Sequence, residues 1–153
     1  MTRGDSPDAA GVLRNLVATC RESEHRFRAA AEGVGDPTLK RLFQTYSEQR
    51  AGFARELRQQ LESVAGEGTE SREGVGRGDP GRSDSPGVLE GADEAAIIAE
   101  REQGEQDALA AFSHAVRHRL PGSAGKMVEQ QYLQVKDAHK HVRSLERSLA
   151  GLP

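Results

Sequence analysis

Tryptophan is absent from the 153 residues, and there are only four phenylalanines, two tyrosines and one cysteine. A lone Cys20 cannot close an internal disulfide or build a cysteine-rich metal site. No apolar run exceeds the five residues of Ala95–Ala99, far below the ~20 that cross a bilayer, so a membrane span is excluded. The first residues lack a basic start followed by an apolar stretch, and a cytoplasmic location is expected. The balance of 21 basic and 24 acidic residues, net −3, offers no excess positive charge for nucleic acid. No phosphate loop, dinucleotide fingerprint or Ser-His-Asp set is present. These absences leave one small, soluble, highly charged domain spanning residues 1–153, with no evident reaction.

What is present is helical periodicity, interrupted once. Eight of the 17 glycines and two of the six prolines fall between residues 65 and 92, where no aromatic residue occurs. Such a stretch buries too little apolar surface to order itself and predicts a flexible linker. The six aromatics all lie in four periodic segments outside it, which predict helices over about 7–33, 37–64, 94–119 and 124–150. Ser6-Pro7, Asp36-Pro37, Asp93 and Ser123 supply start chemistry, and Gly33, Gly66 and Pro121 supply stops. Helices of about 26 residues are about 40 Å long, and their equal lengths suit an all-α four-helix bundle. The long Gly-rich linker between helices 2 and 3 permits either a crossover that leaves those helices parallel or a simple up-down order.

The predicted apolar seams carry polar residues at matching depth. Helix 1 reads Leu13, Val17, Cys20, Glu24, Phe27, Ala31, Val34, and helix 2 reads Leu39, Phe43, Tyr46, Arg50, Phe53, Leu57. Helix 3 has two rows, Ile98-Glu105-Phe112 and Ala95-Glu102-Leu109-Val116, while helix 4 has Val128-Val135-Val142 and Ala124-Gln131-Ala138, flanked by His139. Counting from the turns places Glu24, Arg50, Glu102, Glu105, Gln131 and His139 in one layer near mid-bundle. Burying an unpaired ion costs several kcal/mol, so a network is expected in which Glu102 and Glu105 pair with Arg50 or Lys136 and with Gln131.

The stretches Leu13–Phe27, Ala29-Ala30-Ala31-Glu32, Asp36–Phe43, Glu102-Gln103-Gly104-Glu105 and Val135–His139 resemble the ferritin-like superfamily. Among its groups the sequence is most similar to an uncharacterised bacterial family of small four-helix bundles, a domain of unknown function. Di-iron members use one glutamate from each of two helices and Glu-x-x-His from each of the other two. The resemblance implies Glu24, Glu102, Glu105 and His139 as ligands for iron or manganese. Against a complete centre, Lys136 stands three residues before His139 and helix 2 contains no histidine. The principal expectation is therefore a non-catalytic interaction or stress-associated module without a cofactor, working as a homodimer, with a metal-binding protein as the alternative.

Other candidates have simpler readings. Glu22 and His25 have Glu-x-x-His spacing but fall off the seam. His114 and His118, four apart on one face, suit a metal chelate but have no acidic third ligand nearby, and they read as solvated surface. Lys136, Lys140, Arg143 and Arg147 form a basic stripe interleaved with Asp137 and Glu146, a solvated face. The tripeptide Arg-Gly-Asp at 3–5 and 77–79 reads as coincidence, and Cys20 as a small buried hydrophobe.

Overall fold

A computed structural model describes residues 5–65 and 93–149 of the chain. Four helices account for nearly all of them: α1 (Asp5–Gly33), α2 (Pro37–Ala65), α3 (Glu94–Arg117) and α4 (Gly122–Leu149). No strand occurs among the described residues, and the protein is an all-α bundle. The expected linker falls on residues 66–92, outside the described residues.

The caps behave largely as the residue types dictate. The Asp93 side chain accepts from the Ala96 amide at 2.9 Å, and Asp36 accepts from the Thr38 amide at 3.2 Å. Ser6, expected as the first cap, lies one residue inside α1, which begins at Asp5. α3 stops two residues earlier than its periodicity suggests, because the His118 amide closes onto the Ala115 carbonyl, the Arg119 amide closes onto that of Val116, and Arg119 turns to a left-handed φ of 51°. Gly122 takes the second left-handed position, φ 59°, at no steric cost. Gly125 is required for another reason: a Cβ there would stand 2.8 Å from the Leu120 carbonyl oxygen.

Side-chain pairs give the topology. Gly35 and Asp36 donate backbone amides to the Glu94 carboxylate, and Arg26 meets Glu100, so α1 runs antiparallel to α3. Tyr46 meets His141, Glu56 meets Gln131 and Gln60 meets Ser123, so α2 runs antiparallel to α4. With short turns joining α1 to α2 and α3 to α4, helices α2 and α3 point the same way on a diagonal. Ala65 and Asp93 therefore lie at opposite ends of the bundle, which excludes the up-down alternative. Twenty-seven residues reach about 90 Å when extended, ample for a helix of about 43 Å.

The core is divided. One apolar cluster, around Leu13, Leu16, Leu57, Phe112, Val128 and Val135, fills the end near the α3–α4 turn. The other, around Phe27, Val34, Phe43, Ile97, Ile98 and Val142, fills the end near the α1–α2 turn. Phe53 and Phe112 meet edge to face in the first, at 6.5 Å between centroids, and Phe27 lies 5.8 Å from Phe43 in the second. Between the clusters sit Ser23, Ser47, Arg50, Arg101 and Glu105, all buried, while the buried Gln131 lies between Val128 and Val135 inside the first cluster.

Gly125→Ala tests the close approach at the α4 start. Helix propensity alone favours alanine by up to about 1 kcal/mol. The clash with the Leu120 carbonyl reverses the sign, and urea unfolding is expected to show a loss of about 1–3 kcal/mol; a gain in stability would show that the turn has room to relax.

Candidate functional site: a buried ionic layer

The layer exists because two seams place long charged side chains inward at one height. On α2, Arg50 lies between Phe43 and Leu57 on the buried stripe, and on α3, Glu105 lies between Ile98 and Phe112. Their guanidinium and carboxylate meet fork to fork, Nη1 to Oε2 at 2.8 Å and Nη2 to Oε1 at 2.7 Å, with both side chains withdrawn from solvent. Bidentate charge-assisted bonds are the geometry in which a buried pair recovers most of its desolvation cost. Arg50 Nε also donates to Gln49 at 3.0 Å.

A second buried arginine, Arg101, was not among the expected members. The sequence places it one residue off the row chosen for α3, and an arginine followed by glutamate invites assignment to the surface. In the structure the buried stripe of α3 runs Ile97, Ile98, Arg101, Glu105, Ala108, Phe112, Ala115. Arg101 donates to Glu100 from Nε at 3.0 Å and from Nη2 at 3.3 Å, and its Nη1 stands 3.9 Å from Glu105. That Nη1 has no hydrogen-bond partner among the described residues. Arg101 and Arg50 both lie over the Phe27 ring, at 4.8 and 5.3 Å from its centroid, so the aromatic face takes part of the positive charge. Gly104 makes room for this arrangement: a Cβ there would fall within 3.0 Å of the Arg101 guanidinium carbon. Arg101, Gly104 and Ser23 line an open groove of about 450 Å³ between α1 and α3, rimmed by Arg26, Glu22 and Glu100.

Glu102 and His139 form a separate unit between α3 and α4. The imidazole Nε2 is 2.8 Å from Glu102 Oε2, and each side chain is 12% exposed. Gln106 donates to the same carboxylate at 2.8 Å. Burial pushes the Glu102 carboxyl up, but the hydrogen bonds from Gln106 and His139 and the charges of His139 and Arg143 outweigh it and hold it below its ordinary value.

Glu24 joins neither unit. Ser23 occupies the buried position, and the Glu24 carboxylate pairs with Arg28 at 2.9 Å near the surface. Only the Glu24 carbonyl reaches inward, accepting from the Ser47 hydroxyl at 3.0 Å. Gln131 is buried as expected, but donates to Glu56 and not to the α3 glutamates. Lys136 is exposed, 5.9 Å from the Tyr132 ring centroid. The four residues named as metal ligands thus occupy three places: Glu102 with His139, Glu105 with Arg50, Glu24 with Arg28. Among the described residues, no three His, Cys, Asp or Glu side chains form a group that could hold a metal ion. Cys20 is fully buried, and burial pushes its thiol up to about 12, with Arg50 lowering and Glu105 raising it further, so it stays protonated and unreactive.

Two measurements follow. Glu105→Gln leaves two buried guanidinium groups without an inner carboxylate and is expected to cost about 3–5 kcal/mol in urea unfolding, whereas Arg50→Met combined with Glu105→Leu recovers most of that loss. A cost under 1 kcal/mol for the single variant would mean that water reaches the layer. The Glu102 carboxyl is depressed in the folded state, so it contributes stability above its unfolded value of about 4.3, and that stability is lost as pH falls through the lower folded value. Glu102→Gln should flatten the acid limb of stability against pH below about 4.3; an unchanged limb would show that the pair contributes nothing there.

No curated protein matches the chain. A family model does, over residues 8–118, which run through α1, α2 and α3 and end before α4. With most of its length covered by that model, the chain belongs to the family described as a domain of unknown function, DUF2383.

Proposed function

We propose that this protein is a non-catalytic helical module of ferritin-like architecture, acting through its outer surface as a homodimer in a stress-associated or scaffolding role in the bacterial cytoplasm. The observation that carries the reading is the occupation of Glu105. Both of its oxygens are held by Arg50, with Arg101 beside them, so the innermost carboxylate of the candidate ligands is already neutralised by fixed cations. The ferritin-like assignment is supported by parallel α2 and α3 on a diagonal, with α1 beside α3 and α2 beside α4. Self-association is supported by the short chain, in which helical faces gain from further burial.

The competing reading is an iron or manganese ion held by Glu24, Glu102, Glu105 and His139. Glu102 and His139 favour it, being already 2.8 Å apart and of the type that binds these metals. As the side chains stand, the set does not fit: Glu105 would have to leave Arg50, and Glu24 would have to turn inward from Arg28.

Light scattering on the full chain should give twice the 16.5 kDa chain mass, and a monomer at all accessible concentrations overturns the dimer. Elemental analysis should find no stoichiometric iron or manganese, and neither metal should raise the melting temperature. A rise that Glu105→Gln abolishes would replace the module reading with the metal reading, because a ligand specific to the folded state stabilises by mass action.

A further inference from the structure

His114 in the last turn of α3 and His118, the residue that caps it, lie at the far end of the bundle from the α1–α2 turn, and both are exposed. Their ring centroids are 4.5 Å apart, with the rings inclined at 60°. A metal–nitrogen bond of about 2.0–2.1 Å puts the centre of a coordinated imidazole about 3.2 Å from the ion. Two imidazoles on one ion then have centres about 4.5 Å apart at a 90° bond angle and about 5.2 Å apart at the tetrahedral angle. The observed spacing is that of cis positions in square-planar or octahedral coordination, the geometries of divalent copper and nickel.

A second observation sets the chemistry of one ring. His118 Nδ1 lies 3.2 Å from the His114 carbonyl oxygen. A carbonyl only accepts, so Nδ1 carries the hydrogen and the lone pair of the neutral ring is on Nε2. A hydrogen bond from the non-ligating nitrogen to a backbone carbonyl is how metal-binding histidines are commonly oriented. The C-terminal end of a helix also carries partial negative charge, which favours a cation.

From this geometry we propose that His114 and His118 form a surface chelate for a divalent transition-metal ion of the copper or nickel class. Water completes the coordination sphere, since no third His, Cys, Asp or Glu joins the pair among the described residues. The positive charges of Arg117 and Arg119 on the same turn keep its affinity below that of a carboxylate-bearing site. The bound ion clamps the end of α3 beside the left-handed turn at Arg119.

The test uses untagged, full-length protein titrated with nickel chloride and, separately, copper chloride, read by calorimetry and thermal unfolding. One ion per chain should bind, raise the melting temperature and be released by a chelator. His114→Ala and His118→Ala should each weaken binding at least tenfold, while Glu102→Gln should leave it unchanged, which separates this site from any ion at mid-bundle. Circular dichroism of His114→Gln/His118→Gln guards against loss of fold. The absence of binding by both ions, or binding that survives in both single histidine variants, overturns the proposal.

Discussion

The ion pair between Arg50 and Glu105 is the contact on which the arrangement of the bundle depends. It joins α2 to α3, the diagonal helices, across the centre. Dehydrating two charges costs several kcal/mol each, and the two short bonds offset that cost only when both helices present these residues at one height. Sliding either helix by one turn displaces its side chain by about 5.4 Å, which leaves an uncompensated charge inside. Apolar contacts between Leu, Val and Phe are far more tolerant of such a slip. The pair therefore discriminates among registers that the hydrophobic clusters alone would accept.

The rest of the layer follows from making that pair tenable. Arg101 brings a second positive charge, which is shared between Glu100 at the rim and the face of Phe27. Gly104 is a weak helix former, yet a side chain there would collide with the guanidinium. Ser23 and Ser47 are small enough to let α1 and α2 approach beside the arginines, and Ser47 satisfies its hydroxyl on the Glu24 carbonyl. The two apolar clusters are thereby separated, each closed by its own aromatic pair.

The same layer bears on function. A carboxylate available to a metal must not already be neutralised by fixed cations, and both oxygens of Glu105 are bonded to Arg50. Glu102 and His139 have a different environment, largely shielded between α3 and α4 and bonded to each other. α4 is also tied to α2 through polar contacts, with Tyr46 and His141 sharing a hydrogen bond of 3.2 Å. Histidines on α4 thus meet two different helices, while those at the end of α3 face solvent.

Element type and number were legible in the sequence, and so were the ends marked by Gly, Pro and Asp, because these residues act locally, each setting backbone angles or satisfying an amide within a few residues; Ser6 and Ser123, expected as caps, lie inside α1 and α4. The buried stripes of α2 and α4 were legible for the same reason, and so was Arg50, which interrupts an otherwise apolar row. The sequence alone left three matters open or misplaced. Ser23 and not Glu24 faces inward, Arg101 is buried, and Glu102 pairs with His139 and not with Arg50 or Lys136. One residue is a rotation of about 100° on a helix, and a seam read by eye cannot resolve that step when its two flanks are similarly mixed. The parallel course of α2 and α3 was equally beyond the sequence, since a linker of that length permits either topology. Those choices belong to the tertiary structure, because partners for buried charges come from other helices and only packing sets which faces meet.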